Sequence, residues 1–233
     1  MEINKEDINI SNIIEKLERG LNSNFIDPTI EKKIISILNK LKIEYQIYIP
    51  FQDAINHIIY KKELPDISIL KVRNDNFTHQ DIMGSFFSLG LNKNIIGDIV
   101  LLDDYVYILV ISTYVDYLIQ NFTKIKNKNI KFELEDLSIL DNLKINKEKM
   151  EIIIPSNRID NVISKLIHVN RKEIDKLISK KEIILNYEIL KNNSYKLKEN
   201  DIFSIRRYGK YKYIGVIKKT KKDNLIVEVL KFV

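Results

Sequence analysis

The sequence contains no cysteine and no tryptophan, and it has only six glycines, four prolines and three histidines in 233 residues. The absence of cysteine excludes disulfides and thiolate chemistry. There is also no run of about eighteen apolar residues, and no charged-then-apolar leader follows Met1, so we expect neither a membrane span nor a secretory signal. These absences favour a cytoplasmic protein.

Because glycine and histidine are scarce, the sequence offers few residues of the types that form phosphate-binding loops, metal sites or catalytic sites. Gly84, Gly90 and Gly97 are too widely spaced for a phosphate-cradling loop. His79 is the most enzyme-like residue, but no second histidine or acidic partner stands at metal-ligand spacing from it. We interpret His79 as part of a polar helix start, with support of an RNA or interdomain contact as the alternative. We expect no metal, no cofactor and no catalytic residue.

Positive charge is concentrated in the C-terminal third. The whole chain carries +6, yet residues 155–233 hold 19 Lys and Arg against 9 Asp and Glu, while residues 1–154 hold 19 against 23. A basic module on a slightly acidic body is the asymmetry expected of a polyanion binder. Four of the six arginines lie in this module: Arg158, Arg171, Arg206 and Arg207. Their planar forks can grip a phosphate or a guanine edge.

Residues 158–186 have the pattern of two helices followed by a strand. Apolar residues recur at helical spacing in 159–167 and again in 174–178, so each helix has one stripe to bury. Lys172, Lys176 and Lys180 lie four residues apart, away from the second stripe. A lysine row is either a solvated face or a track for a phosphate backbone, and the row alone leaves both interpretations open.

The chain is long enough for one large domain or two to three small ones, and its pattern predicts an α+β protein. Residues 1–43 indicate an N-terminal helical segment, and residues 44–136 an α+β middle domain with helices on one face of an antiparallel sheet. Residues 137–149 show mixed charge and little periodicity, which is typical of a linker. Residues 150–233 indicate two helices plus a small β-sheet.

Local signals place several elements. Asp27-Pro28 starts the second helix, whose stripe runs from Ile30 to Leu41. Thr78 and Asp81 have capping-box spacing. Residues 45–50, 56–60 and 67–73 predict three antiparallel strands, and residues 99–111 a hairpin through Asp103-Asp104. Further short strands are expected at 183–185, 195–197, 202–205, 211–217 and 225–230.

The C-terminal motifs resemble the S4 domain, an RNA-binding domain named after ribosomal protein S4. The resemblance lies in the order and spacing of residues 158–160, 170–171, 183–186 and 197–202. Lys181 and Asn200 stand where that domain usually has glycine. Asparagine tolerates the left-handed backbone, so the second departure is mild.

The resemblance extends over nearly the whole chain to the YlmH-type S4 proteins of bacteria. Its landmarks, in the family's order, are residues 25–28, 51–54, 78–84, 89–91, 97–99 and 207–210. Where this chain has Asn56-His57, the family usually has a basic pair. The resemblance implies a cytoplasmic, non-enzymatic factor that binds the large ribosomal subunit, contacting ribosomal RNA and transfer RNA. It further implies links to ribosome-associated quality control of stalled nascent chains and to cell division. We expect a monomer that does not bind membranes.

The predicted RNA contacts lie in the C-terminal module. They are Arg158, Asn170, Arg171, Lys172, Lys176, Lys180, Lys181, Asn186, Tyr187, Arg206, Arg207 and Lys210. Phosphate contacts give affinity that falls with salt, while Asn186 and the arginine forks suit shape-specific contacts. Tyr187, Tyr208 and Tyr211 either stack on bases or pack half-buried. Asp160 either orients Arg158 or caps a helix.

An RNA-modifying enzyme is the rival hypothesis, because pseudouridine synthases and some methyltransferases also carry S4 modules. Pseudouridine synthesis needs a nucleophilic Asp in a Gly-Arg-Leu-Asp type context, whereas residues 158–162 read Arg-Ile-Asp-Asn-Val. A methyltransferase needs a Gly-rich loop after a strand, and the sequence has none. A septum-associated scaffold in cell division remains a third possibility.

Overall fold

The computed structural model describes residues 5–52 and 54–232, with side chains from residue 10 onward. The landmark residue Asp53 and the two chain ends, 1–4 and 233, therefore lie outside the described residues. The chain divides into two compact units, an N-terminal unit ending at Ile145 and a C-terminal unit beginning at Asn146.

Two amphipathic helices open the N-terminal unit, α1 (Lys5–Glu18) and α2 (Pro28–Leu41). Asp27 caps α2 as predicted, because its Oδ1 accepts the backbone N–H groups of Thr29 at 2.9 Å and Ile30 at 3.2 Å. This cap satisfies two of the donors that a helix start leaves without a partner, so the sequence determines where α2 begins.

The two helices pack through a small apolar cluster. Leu17, Ile34 and Leu38 are fully buried in it together with Ile59. Leu41, which the helical spacing assigned to the buried stripe, is instead 54% exposed. It is the last residue of α2 and lies beyond Leu38, the last buried residue of the helix.

The three strands expected in residues 45–73 do not form one sheet. β1 (Gln46–Tyr48) and β2 (Ile58–Tyr60) pair with each other in a two-stranded sheet. β3 (Ile67–Arg73) is a central strand of a separate four-stranded sheet. The reason is burial: both faces of β3 are apolar, so it needs partner strands and packed layers on either side.

The remaining elements of this unit build the four-stranded sheet and its cover. They are α3 (His79–Phe87), β4 (Ile96–Leu101), β5 (Tyr105–Ile111), α4 (Val115–Asn121), β6 (Lys124–Ile125), β7 (Lys128–Asn129) and β8 (Glu133–Glu135). The sheet order is β4-β5-β3-β8 with antiparallel pairing throughout. The predicted hairpin through Asp103-Asp104 is confirmed as β4–β5.

Alternating residues of the sheet face two different cores. Leu70 and Ile108 pack with Phe86 of α3 and Leu118 of α4, which confirms helices on one face. The opposite face is covered by residues from loops and from a 3₁₀ turn at Leu137–Asp141. Leu140 within this turn is buried, so the expected linker at 137–149 begins instead as a packed part of the N-terminal unit.

The C-terminal unit packs two helices on one six-stranded sheet. Its elements are β9 (Lys147–Ile154), α5 (Ile159–Ile167), α6 (Arg171–Ser179), β10 (Ile183–Leu185), β11 (Glu188–Ile189), β12 (Ile202–Ile205), β13 (Gly209–Lys219) and β14 (Leu225–Phe232). The sheet order is β11-β10-β12-β13-β14-β9, all antiparallel. Ile163 of α5 and Ile174 of α6 share one buried core with Phe203 and Val227 of the sheet.

Residues 195–197 do not form the predicted strand. Lys196 makes only an isolated antiparallel bridge with Arg158, and Leu197 is buried in the core with its N–H donated to Asn157 O at 2.9 Å. Three residues of alternating polarity describe a half-buried turn as well as a strand, so the pattern was too short to decide.

Two turns keep the left-handed backbone without glycine. Lys181, after α6, has a φ of 58°, and Asn200 has a φ of 68°. These are the positions where the S4 domain usually has glycine. Both residues thus adopt the left-handed backbone that glycine tolerates best, at a steric cost that is greater for the lysine than for the asparagine.

Candidate nucleic-acid interface

Arg158 is held in a fixed orientation by Asp160 at the start of α5. The guanidinium donates from Nε to Oδ1 at 3.0 Å and from Nη2 to Oδ2 at 2.6 Å. The Asp160 side chain is only 6% exposed, against 31% for Arg158. Burial by itself raises the pKa of Asp160, but the hydrogen bonds and charge of Arg158 hold that pKa below its ordinary value. Asp160 therefore orients Arg158, one of its two expected roles.

Arg171 and Arg158 line one small pocket. Its volume is about 130 Å³, and Asp160, Asn161 and Ser164 complete its polar lining. Two guanidinium groups facing one carboxylate leave a net positive charge at this pocket. A single phosphate group matches that size and charge.

The lysine row lies on the solvent side of α6. Lys172 and Lys176 are exposed, while Ile174 between them is 1% exposed and packs into the core. Lys180 follows as the C-cap residue. The helical rise places successive lysines about 6 Å apart along the axis, so their charges form a line.

Asn170 starts this helix with a capping box. Its Oδ1 accepts the Glu173 N–H at 3.1 Å, and Glu173 Oε2 accepts the Asn170 N–H at 3.0 Å. The acceptor of Asn170 is thus used by the fold, and its position fixes where α6 presents Arg171.

The turn between β12 and β13 lies against the C-terminal end of α6. The Arg206 N–H donates to Glu182 O at 2.9 Å, and Arg206 Nη1 lies 3.7 Å from Glu182 Oε1. Glu182 directly follows Lys180 and Lys181, so the turn brings Arg206 and the exposed Arg207 to the lysines. We call the combined region the α6 surface: Arg158, Arg171, Lys172, Lys176, Lys180, Lys181, Arg206 and Arg207.

Asn186 has a structural role that the sequence did not reveal. Its Nδ2 donates to Asp201 Oδ1 at 2.7 Å, and its Oδ1 accepts the Ile202 N–H at 2.9 Å. The amide therefore ties the β10–β11 turn to β12, so Asn186 has this role in the fold, and its contact with RNA stays a prediction. Asp201, the partner that sequence reasoning missed, is 7% exposed. No sequence spacing links these two residues.

Tyr187 and Lys210 lie at the open face of the sheet, away from the helices. Lys210 Nζ is 5.2 Å from the ring centre of Tyr187 and 5.4 Å from that of Phe232. Lys147 Nζ is 5.6 Å from the Phe232 ring centre. Phe232 and Lys147 were not predicted; they join this group through strand register, since Phe232 is paired with both lysines.

The three tyrosines proposed for base stacking differ in exposure. Tyr211 is 3% exposed, its ring stacks on Phe203 at 5.4 Å and its hydroxyl donates to Tyr208 O at 3.0 Å. Stacking of Tyr211 on a base is therefore wrong. Tyr208 is 42% exposed and remains a candidate, whereas Tyr187 carries Lys210 over its ring.

His79 lies at the first residue of α3, beside a capping box. Thr78 N–H donates to Asp81 Oδ2 at 2.9 Å, and Asp81 N–H donates to Thr78 Oγ1 at 3.3 Å. This confirms the polar helix start. Partial desolvation by neighbouring atoms, followed by the charge of Lys93, lowers the pKa of His79.

Across residues 5–52 and 54–232, no group of three or more histidine or acidic side chains is placed to hold a metal ion. None of the helices in the described part of the chain is long and apolar enough to cross a membrane.

Comparisons with known proteins match both units. Residues 60–139 match the family model described as a putative RNA-binding domain in YlmH, and residues 157–203 match the S4 domain. Both parts of the resemblance drawn from the sequence are thereby confirmed, in the same order. The S4 match includes α5, α6 and nine of the twelve predicted contacts, and it ends before Arg206.

A curated relative and a solved structure also match. The relative is the Ribosome-associated protein quality control protein P2 of Bacillus subtilis (strain 168), 26% identical over 145 residues, which are 62% of this chain. The match covers 56% of the relative, just over half its length. The structure is the cell division protein ylmH from Streptococcus pneumoniae, with 16% identity and a TM-score of 0.47, covering 60% of this chain and 98% of that one.

Proposed function

We propose that this chain, a YlmH-type S4 domain protein, is a non-enzymatic factor that binds the large ribosomal subunit through ribosomal RNA and transfer RNA. The observation that carries the proposal is the α6 surface. It comprises eight cations of the C-terminal unit, seven of them exposed and six of them within the S4 match. Such a surface attracts the phosphates of folded RNA.

The arrangement of these cations favours folded RNA over an extended strand. The lysines of α6 form a line that suits a phosphate backbone, while Arg158 and Arg171 form a pocket at one end. A bidentate arginine fixes the register of the RNA, since it accepts only a narrow range of phosphate orientations. An RNA binds this surface only where its phosphates match the positions of the cations. The surface therefore recognises a bent or looped RNA by its shape.

The process we propose is ribosome-associated quality control of stalled nascent chains. Its support is the name of the matched Bacillus subtilis relative, which is called a ribosome-associated protein quality control protein. The α6 surface gives this chain a physical means of binding ribosomal RNA.

Asp160 supports a binding role over RNA modification. It is the aspartate of residues 158–162, a segment that lacks the Gly-Arg-Leu-Asp type context of a pseudouridine synthase nucleophile. Its Oδ1 accepts hydrogen bonds from Arg158 at 3.0 Å and from the Asn161 N–H at 2.9 Å, and its Oδ2 accepts from Arg158 at 2.6 Å. A carboxylate bound on both oxygens and nearly buried is poorly placed to attack a base.

Pull-down of the tagged full chain, followed by sedimentation and sequencing of the bound RNA, tests the function. We expect the chain to sediment with large subunits and to enrich ribosomal RNA of that subunit and transfer RNA. A variant with Lys172, Lys176 and Lys180 changed to Glu should lose this association. Recovery of neither RNA, or equal recovery by the variant, would contradict the proposal.

The absence of catalysis is tested separately. Purified protein is incubated with ribosomal RNA, and modified bases are mapped by sequencing and mass spectrometry. We expect the modification pattern to match that of RNA incubated without protein. Any new modification would replace the binding-only proposal by an enzymatic one, and its loss in the Asp160→Asn variant would identify Asp160 as a residue that the reaction needs.

A further inference from the structure

The N-terminal unit contains a pocket that lies outside the α6 surface. Its volume is about 410 Å³. The lining residues are Asn12, Ile13, Asn24, Phe25, Ile26, Asp27, Ile30, Asn56, Asn92, Lys93, Asn94 and Ile96. They come from α1, residues 24–27 and the first turn of α2, the segment before β2, and residues 92–96 at the start of β4, so only the folded unit brings them together.

Asparagine is strongly enriched in this lining. It supplies five of the twelve lining residues but only 24 of the 233 residues of the chain, so general composition does not explain the cluster. Each asparagine amide presents a donor and an acceptor side by side. Isoleucines and Phe25 form the apolar remainder of the wall. A planar ligand with donors and acceptors on its edge suits such a mixture.

The walls of the pocket are held in place by specific packing. A Cβ added at Gly97 would lie 2.6 Å from the Phe25 ring, so the ring occupies space that only glycine leaves open. Asp98, 4% exposed, accepts the N–H of Ile55 at 2.8 Å, the N–H of Asn56 at 3.0 Å and Asn56 Nδ2 at 3.2 Å. The amide of Asn56 is thereby fixed as part of the lining.

The charged residues of the pocket and one buried hydrogen-bond acceptor restrict the chemistry of the ligand further. Among the described residues that line the pocket, Lys93 is the one cation, and the Asp27 carboxylate already accepts two N–H groups of α2. Asn94 Oδ1 is buried and has no hydrogen-bond partner within the described part of the chain. A buried acceptor without a donor is costly, and a ligand N–H would remove that cost.

We propose that this pocket binds one nucleotide, either free or as an unstacked residue of an RNA strand. The base lies among Phe25 and the isoleucines, its edge is bound by the asparagine amides, and its phosphate is neutralised by Lys93. Asparagine is suited to this because it can both donate to and accept from a base edge. The RNA form of the ligand rests on the proposed function, whereas binding of a free nucleotide does not.

Titration of the full chain with the four nucleoside 5′-monophosphates, followed by calorimetry or NMR, tests the pocket. We expect saturable binding of at least one of them and a loss of tenfold or more in the Asn92→Ala/Lys93→Gln variant. Asn127→Ala/Lys124→Gln, at exposed residues of the β6–β7 hairpin, is the matched control and should bind normally. Thermal unfolding checks that both variants fold.

Three results would overturn the inference. They are no binding of any monophosphate, equal binding by the pocket variant and its control, and equal binding of ribose 5-phosphate, which would show that the base is not read.

The source of the nucleotide is decided by cross-linking. A single-stranded RNA carrying 4-thiouridine is irradiated with the protein and the adducts are mapped by mass spectrometry. Adducts on residues 24–30 or 92–96 identify an RNA residue as the ligand; monophosphate binding without such adducts identifies a free nucleotide. Charge reversal on α6 leaves the pocket intact, so if that variant still binds large subunits, the proposed function fails while the pocket is unaffected.

Discussion

Asp160 is the residue whose ionisation most directly links stability to the RNA surface. It is nearly buried, and its pKa lies below the ordinary 3.8, so it stabilises the fold at neutral pH and loses that contribution as pH falls through the folded pKa. We expect Asp160→Asn to lower the free energy of unfolding at pH 7 by about 1–3 kcal/mol, because Arg158 loses a charged partner.

Chemical denaturation of wild type and variant between about pH 3 and pH 7 measures this. The two stabilities should converge toward the acid end. Asp103→Asn, at an exposed residue of the β4–β5 hairpin, is the control and should leave stability unchanged. If the difference in the free energy of unfolding between wild type and variant is as large at acid pH as at neutral pH, the charge of Asp160 is not its cause.

His57 links α2 to the start of β2 through an ion pair. Its Nδ1 lies 2.7 Å from Glu31 Oε2 and its Nε2 lies 3.3 Å from Ala54 O, so only the doubly protonated ring donates to both acceptors. Burial lowers the pKa of His57, but the bond to Glu31, with smaller contributions from Ala54 and Asp98, raises it above 6.5 overall. The stabilisation is therefore full below about pH 6.5 and is lost as pH rises through the folded pKa.

The prediction is that His57→Gln costs most stability near pH 5 and least near pH 8, as read by denaturant unfolding at each pH. Glu31→Gln should show the same trend, and the double variant should lose less than the sum of the two. The exposed His168→Gln serves as control. A constant loss at every pH would rule out the ion pair as its origin.

A substitution of Arg171 tests whether RNA binding depends on the planar guanidinium group or only on its positive charge. Arg171→Lys keeps the charge but removes the planar fork, so we expect binding to the large subunit to weaken about tenfold with no change in the unfolding free energy. Quantitative pelleting with purified subunits gives the affinity. Arg73→Lys, at an exposed residue of β3, is the matched substitution and should have no effect. Equal affinity of the two variants would show that the planar guanidinium group of Arg171 is not needed for binding.

At the scale of elements, the turn after α6 combines a strained backbone with a proposed RNA contact. Lys181 has a φ of 58°, whereas Lys180 has a φ of −80°. Lys181→Gly relieves the left-handed backbone and should raise the free energy of unfolding by about 1 kcal/mol while weakening RNA binding slightly. Lys180→Gly removes the same charge without that relief, so stability should not rise. Urea denaturation and subunit pelleting together give both quantities, and a stability gain in both variants would exclude the backbone explanation.

Local sequence pattern predicts where helices begin but not how strands pair. The capping residues Asp27, Thr78 and Asn170 all start helices, because a cap acts only on N–H groups within its own turn. The sequence pattern did not reveal that β3 belongs to a separate sheet or that residues 195–197 form no strand. Strand pairing joins residues far apart in the chain, and a run of alternating residues does not name its partner.

At the scale of the whole molecule, charge segregation predicts a position-dependent effect. Changing Lys172, Lys176 and Lys180 to Glu should weaken RNA binding and reduce the salt slope by about 0.7–0.9 for each phosphate that the protein no longer neutralises. Changing Lys40, Lys62 and Lys124 of the N-terminal unit to Glu gives the same net charge. This second variant should retain wild-type affinity and slope, as measured by filter binding across salt concentrations. Equal losses would show that net charge, and not the α6 surface, governs binding.

The sequence by itself determined the α+β class, the helix starts, the two apolar helix stripes and the concentration of cations and arginines in the C-terminal third. Each of these depends on residues close together in the chain or on simple counting. Tertiary structure alone decided that Asn186 binds Asp201, that Arg206 meets the end of α6 and that five asparagines line one pocket. Such contacts depend on strand register and loop paths, which bring distant residues within hydrogen-bonding range and leave no periodic signal in the sequence.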